Sequence, residues 1–249
     1  MIQTVSKVYF SPTGNTQKSV DAMASAIGVD SRTYDVTADL SPAPHAFGAD
    51  DFVIFGMPVY GGRIPKAAAA RLAGFTGNQT PCIAVVTYGN RHFDDALLEL
   101  SELATAQGFV VKGAAALVGR HTYGDIQAHR PDADDLAADR AFAMQAAQNA
   151  PGRAVILPGG RPYQDGGNGG PFRPLTTQAC TQCGLCTARC PMGAIAADHQ
   201  TIGSACIACF RCIRICPVRA KHMQTEAYLA FAEPFSNKLS QRRENAYFL

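Results

Sequence analysis

The chain has 249 residues, 47% of them hydrophobic, and its 22 Lys and Arg against 20 Asp and Glu leave a formal net charge of +2. That suits one large or two small globular domains with a real core, and the near-cancelled charge gives no reason to expect a nucleic-acid partner. No run of about 18 apolar residues is present to span a bilayer, and Met1-Ile2-Gln3-Thr4 enters a strand pattern without a basic, apolar and small-residue leader, so a cytoplasmic protein is expected.

Strand-like runs fall at 4–10, 32–36, 52–57, 82–87 and 110–118, and helical patterns at 15–27, 65–73, 93–107 and 133–149. Strand and helix alternate. Phe52-Val53-Ile54-Phe55 and Ile83-Ala84-Val85-Val86 are continuously apolar, as strands covered on both faces require. The expected fold is α/β, a doubly wound five-stranded parallel sheet of flavodoxin-like type over residues 1–150, with its ligand at the carboxyl ends of the strands where the winding order reverses. Cys82, alone in the fourth run, reads as core packing.

The first strand runs into Ser11-Pro12-Thr13-Gly14-Asn15-Thr16 just before a helix. Short hydroxyl and amide side chains, a glycine and the free N–H groups of a helix start make an anion cradle, and phosphate is its natural guest. An ordinary helix cap needs only one such residue. Pro58-Val59-Tyr60-Gly61-Gly62-Arg63-Ile64-Pro65 follows the third strand and Thr87-Tyr88-Gly89-Asn90-Arg91-His92-Phe93-Asp94-Asp95 the fourth, while His121 and Tyr123 follow the fifth, at the same sheet edge.

The S-P-T-G-N-T loop resembles the FMN phosphate loop of flavodoxins. The resemblance implies non-covalent FMN, its phosphate on Ser11, Thr13, Gly14, Asn15 and Thr16, and its isoalloxazine held by Val59, Tyr60 and Gly61 on one side and Thr87, Tyr88, Gly89 and Asn90 on the other. Tyr60 and Tyr88 are then expected to flank the ring. Gly61 either flips its peptide toward the reduced flavin or makes a simple turn with Gly62. Arg63, Arg91 and His92 favour an anionic reduced flavin if they face it, and are otherwise solvated loop charges. His121 and Tyr123 border the ring or are incidental.

Residues 151–175, rich in glycine and proline, read as a linker. Beyond it lie Cys180, Cys183, Cys186 and Cys190, then Cys206, Cys209, Cys212 and Cys216, each run spaced C-x2-C-x2-C-x3-C and followed by Pro191 or Pro217. This is the spacing of a bacterial two-cluster ferredoxin. Three thiolates of one tight loop cap three corners of an iron-sulfur cube and the other run reaches the fourth, so Cys180, Cys183, Cys186 and Cys216 are assigned to one 4Fe-4S cluster and Cys206, Cys209, Cys212 and Cys190 to the other. Structural zinc usually pairs two C-x2-C knuckles across a longer gap, and disulfides suit secreted chains, so both are less favoured. The 26-residue step from Cys180 to Cys206 marks a duplicated half-domain. A small α+β two-cluster ferredoxin domain is expected over 176–223.

Its charges are mostly positive, Arg189, Arg211, Arg214, Arg219 and Lys221 against Asp198. They stabilise reduced clusters, attract an acidic partner, or simply solvate a small domain. The C-terminal helix and tail, 224–249, are interrupted at Pro234 and end in apolar Tyr247-Phe248-Leu249, expected to pack back on the first domain.

Over essentially its full length the chain resembles the fused flavodoxin-ferredoxin proteins sometimes called ferrodoxins. This implies an electron-transfer flavoprotein of anaerobic-type metabolism, carrying FMN and two 4Fe-4S clusters and exchanging electrons with a ferredoxin, a flavodoxin or a reductase. The alternatives are an FMN-dependent reductase of a small-molecule acceptor fed through the clusters, and a redox sensor. No G-x-G-x-x-G follows a predicted strand, so direct reduction by a nicotinamide nucleotide is not expected.

Overall fold

The computed structural model describes residues 2–149 and 154–249. Met1, and the expected boundary at 150/151 with the first linker residues, lie outside the described residues. The first part runs β1 (Thr4–Tyr9), α1 (Asn15–Ile27), β2 (Ser31–Asp35), β3 (His45–Phe47), β4 (Asp51–Pro58), α2 (Lys66–Leu72), β5 (Phe75–Gly77), β6 (Thr80–Tyr88), α3 (Ala96–Ala106), β7 (Phe109–Val118) and α4 (Ala133–Gln148). The second runs β8 (Leu175–Thr176), α5 (Leu185–Ala188), α6 (Arg211–Arg214), β9 (Lys221–His222), α7 (Glu226–Lys238) and β10 (Ala246–Phe248).

The main sheet has the order β2-β1-β4-β6-β7-β10. Its first five strands are parallel and wound as in flavodoxin, reversing between β1 and β4. Each central strand divides its side chains by alternation. Val53, Phe55 and Met57 of β4 enter a core with α2 and α3, while Phe52 and Ile54 enter the opposite core with α1 and α4. Cys82 lies fully buried in the first of these cores.

Two features depart from the expected five strands. β3 and β5 form a separate two-stranded parallel sheet, and β10 adds an antiparallel sixth strand beside β7. Three-residue strands carry too little periodicity to be read from sequence. β10 brings the tail onto the first domain, where Tyr247 packs on Phe142 with ring centroids 5.0 Å apart. Asn245 prepares this edge, its Oδ1 accepting from the Val118 N–H at 2.8 Å.

The second part is a small α+β unit in which β8 pairs antiparallel with β9 and Ile195 bridges Ile202. The glycine-rich stretch read as a linker lies against the first domain. Gly160 and Gln164 donate backbone N–H groups to the Asp95 carboxylate at 2.9 and 2.8 Å, and the Gly167 N–H donates to the Tyr60 carbonyl at 2.7 Å. Its glycines serve close approach, since a Cβ on Gly166 would stand 2.4 Å from the Gly61 carbonyl oxygen.

Asp139 of α4 is 0% exposed and accepts from the Tyr247 hydroxyl at 2.8 Å, with the Ser19 side chain beside it. Burial pushes its carboxyl up to about 6 from an ordinary 3.8. Because the folded state favours the protonated acid, its contribution is fully present below about pH 4 and is lost as the pH rises through about 6. Urea unfolding of Asp139→Asn against the parent should therefore show the variant gaining about 2 to 3 kcal/mol between pH 4 and pH 7. A difference that stays constant with pH contradicts this reading.

Candidate functional site

The loop after β1 is fixed from three sides. The Ser11 N–H donates to Thr37 Oγ1 at 2.7 Å, Ser11 Oγ accepts from the Gln17 N–H at 3.0 Å, and Asn15 Nδ2 donates to the Arg120 carbonyl at 2.8 Å. Thr16 Oγ1 meets Thr87 Oγ1 at 2.5 Å in a buried contact that ties α1 to the end of β6. Gly14 caps α1 in the left-handed region at φ +87° with no side-chain cap, which leaves first-turn N–H groups for an anion.

This loop opens on a large cavity, continuous with solvent, at the carboxyl ends of β1, β4, β6 and β7. Ser11, Thr13, Asn15 and Thr16 line it, as do Val59, Tyr60 and Gly61 of the loop after β4 and Thr87, Tyr88 and Gly89 of β6 and its loop. His121 and Tyr123 also line it. Burial pushes the His121 imidazole down to about 4, so the ring is neutral, and its Nδ1 faces both the N–H and the carbonyl of Tyr123, at 2.8 and 3.0 Å.

Several expected site residues act elsewhere. Asn90 is fully buried outside the cavity lining, donating through Nδ2 to the Leu239 and Gln241 carbonyls at 2.8 and 2.7 Å and accepting from the Arg243 N–H at 3.2 Å. Its side chain holds the tail. Gly14 supplies the turn and is not itself in the lining. Tyr88 lines the cavity while its ring packs on Phe93, with centroids 5.6 Å apart. Arg63 forks onto Glu99 with two 2.7 Å bonds and sits over the Tyr163 ring, fastening the glycine-rich stretch. Arg91 reaches the cavity rim paired with Asp94, and His92 stacks on Phe93.

Three further walls come from beyond the first domain: Gly169 and Gly170, the Ile207–Ala208 peptide, and Phe231 and Phe235 of α7. Phe235 meets His121 edge-on at 5.1 Å. Sequence spacing gave no sign of these, since docking of one part on the other creates them. Two buried or half-buried guanidinium groups hold that docking. Arg71 of α2 donates to the Val36 and Thr37 carbonyls at 2.9 Å and also to the Pro191 carbonyl, and Arg211 of α6 donates to the Ser11 and Pro12 carbonyls at 3.3 and 3.2 Å.

The eight paired cysteines divide between two smaller cavities. Cys180, Cys183, Cys186 and Cys216 line an outer one, and Cys190, Cys206, Cys209 and Cys212 an inner one. Each thus draws three cysteines from one run and the fourth from the other. Among the described residues no three His, Cys, Asp or Glu side chains converge closely enough to hold a single metal ion. Four thiols lining one space are a soft donor set of the kind that holds iron-sulfur groups. Burial pushes the Cys209 and Cys212 thiols up to about 12, so thiolates there need a compensating positive centre. The backbone also offers N–H groups to sulfur, from Ala194 to Cys190 at 3.3 Å and from Ala220 to Cys216 at 3.2 Å.

Ile207 lines both the large cavity and the inner cysteine cavity. A single side chain and its backbone form the shared wall.

The family described as a 4Fe-4S dicluster domain matches residues 175–218. No curated protein matches the chain. Among solved structures, the chain is similar to a flavodoxin from the domain Archaea, with 16% identity, 58% of this chain and 96% of that chain covered, and a TM-score of 0.40. It is also similar to the flavodoxin of Streptococcus pneumonia TIGR4, at 19% identity over 59% of this chain and 99% of that one with a TM-score of 0.42. Oxidised Flavodoxin 2 from Bacillus cereus shows 15% identity over 59% and 99% of the two chains, with a TM-score of 0.45.

Replacing Asn90 by alanine removes three bonds to the tail backbone and leaves those groups buried without partners. The variant should lose about 2 to 4 kcal/mol in urea unfolding and expose residues 239–249 to proteases in the native state. Parent-like stability and cleavage would mean that the tail is held by other contacts.

Proposed function

We propose that the chain is an electron-transfer iron-sulfur flavoprotein, with FMN in the large cavity and a 4Fe-4S cluster in each cysteine cavity. The observation that carries this reading is the double role of Ile207, whose position leaves the two kinds of site separated by one residue. FMN, when bound, takes one or two electrons and each cluster takes one, which joins two-electron to one-electron chemistry. The chain supplies position and surroundings.

The residues present fit these groups. Thr13, Asn15 and Thr16 with the uncapped start of α1 would hold the phosphate. Tyr60, Gly61 and Gly89 would border the ring on the sheet side, and Ile207, Ala208, Phe231 and Phe235 would exclude water from it. His121, neutral in its buried position, would border the ring without adding positive charge. The cysteines would hold the clusters in the crossed sets that line the two cavities.

A reductase of a small molecule needs room beside His121 and Tyr123 for its substrate. Both residues line the cavity, but Phe231 and Phe235 wall the same space, which supports a relay. Exchange with a redox partner, a ferredoxin, a flavodoxin or a reductase, is proposed at the outer cavity, where Cys183 is exposed and exposed Leu185 and Val218 form the lining. No helix among the described residues is long and apolar enough to cross a membrane.

Anaerobic reductive titration of the purified full chain, with flavin and iron quantitation, tests the proposal. The expected result is one FMN and two clusters whose reduction bleaches the flavin without an added mediator; iron without flavin, or flavin that responds only through a mediator, would overturn it. Thr13→Ala should raise the flavin dissociation constant about tenfold or more, the loss of roughly 1.5 kcal/mol or more from a hydrogen bond to a charged group, with iron content unchanged. Unaltered flavin retention would remove the phosphate assignment.

A further inference from the structure

The two cysteine runs share one backbone but have unequal surroundings. Moved by the 26-residue step between Cys180 and Cys206, α5 falls on α6, and the positive-φ residues Gln182, Gly184 and Gly193 fall on Ala208, Phe210 and Arg219. The same step carries Ile195 onto Lys221 and Thr176 onto Ile202. In one half Ile195 bridges Ile202, and in the other Lys221 pairs with Thr176. Where one half sets two isoleucines, the other sets an amine and a hydroxyl.

Both versions are buried beside a cysteine cavity. Ile195 and Ile202 line the inner one, whose remaining lining is cysteine, proline, methionine, isoleucine and phenylalanine. Lys221 lines the outer one and is 3% exposed. Its Nζ donates to Thr176 Oγ1 at 2.6 Å, one of three donors it carries. Asp198, the carboxylate that feels its charge, is itself engaged by the Thr201 hydroxyl and the Gln200 N–H. A buried ammonium with only a neutral hydroxyl as partner is costly unless a negative centre faces it.

We infer that Lys221 is the counter-ion of the outer cluster and that it gives this cluster the higher reduction potential of the two. The inference rests on reading the cysteine cavities as cluster sites. An all-thiolate cluster is negative and gains further negative charge on reduction, so a nearby ammonium stabilises the reduced form more than the oxidised one, and low local dielectric enlarges the difference. The isoleucine pair offers the inner site no buried ammonium; the charges that reach its cysteines are Arg71 at Cys190 and Arg173 at Cys206, guanidinium groups already spread over backbone carbonyls, and Lys221 itself, from its place in the outer lining, at Cys212. Electron sharing between the two sites therefore favours the outer one, next to exposed Cys183.

The test uses the full chain, purified anaerobically and reconstituted with iron and sulfide. Iron and acid-labile sulfide content comes first and decides the cluster reading by itself. A redox titration followed by electron paramagnetic resonance then decides the inference. The parent should show two cluster waves separated by an equilibrium constant of about tenfold or more, which for one electron is about 59 mV. Lys221→Ile, which copies the other half, should lower the upper wave and narrow the gap at full iron content, and Lys221→Arg should restore it. Ile195→Lys should raise the lower wave, a reading that survives if Lys221→Ile fails to assemble. A fully loaded Lys221→Ile with an unchanged gap, equal displacement of both waves, or no response in Ile195→Lys would overturn the inference.

Discussion

The whole arrangement depends on two guanidinium groups that pull backbone carbonyls of one part of the chain against the other. Arg71 joins Val36 and Thr37 to Pro191, and Arg211 reaches from between two cysteines to Ser11 and Pro12. A planar fork satisfies several carbonyls at once, and a carbonyl left buried without a donor costs about 1 to 3 kcal/mol. These contacts act at the two ends of the interface, one at the loop after β1 and one after Cys190. Between them lies the Ile207–Ala208 peptide, both residues lining the large cavity and Ile207 also lining the inner one. The glycine-rich stretch completes the fit, since a Cβ on Gly169 would lie 2.0 Å from the Ile207 carbonyl oxygen.

Much of the fold is legible in the sequence because its signals are local. A parallel strand buried on both faces must be a short apolar run, and Phe52–Phe55 and Ile83–Val86 are such runs inside β4 and β6. Ligand spacing in the cysteine runs is equally local. Local signals do not resolve residues whose partners lie far along the chain. Asn90 is a polar residue in a loop at the correct sheet edge, which suits a ligand contact as well as a staple; its partners at Leu239, Gln241 and Arg243 decide the matter. Arg63 is likewise claimed by Glu99 and Tyr163. Phe231 and Phe235 look in sequence like the apolar face of any terminal helix, and only docking turns them toward the cavity.

The glycine-rich 151–175 stretch illustrates a limit of composition as a signal. Glycine is frequent both where the chain is free and where two backbones touch, and the two cases look identical in a composition profile. Here the second holds for the described residues, with Gly166 against Gly61, Gly169 against Ile207 and Gly170 against Tyr123.

Duplication supplies two equal cysteine loops, and the residues between the cysteines differ according to which loop faces the first domain. Thr181 and Leu185 are exposed in the outer loop; their counterparts Ile207 and Arg211 form the shared wall and the grip on the loop after β1. Gly184 sits at φ +74° in the outer loop, where glycine adopts the left-handed region without strain, but its counterpart Phe210 adopts φ +61° with a full side chain. That conformation costs about 1 to 2 kcal/mol. The ring offsets it by packing with Met223, Tyr228 and Ala232, its centroid 5.4 Å from Tyr123 and 5.8 Å from Tyr228, and burial of an aromatic side chain contributes about 1.5 to 3 kcal/mol. The inner loop therefore accepts backbone strain to gain a seam with α7, and α7 carries the two phenylalanines that close the large cavity. The asymmetry between the halves is thus a consequence of the interface, and the same interface brings the two kinds of site together.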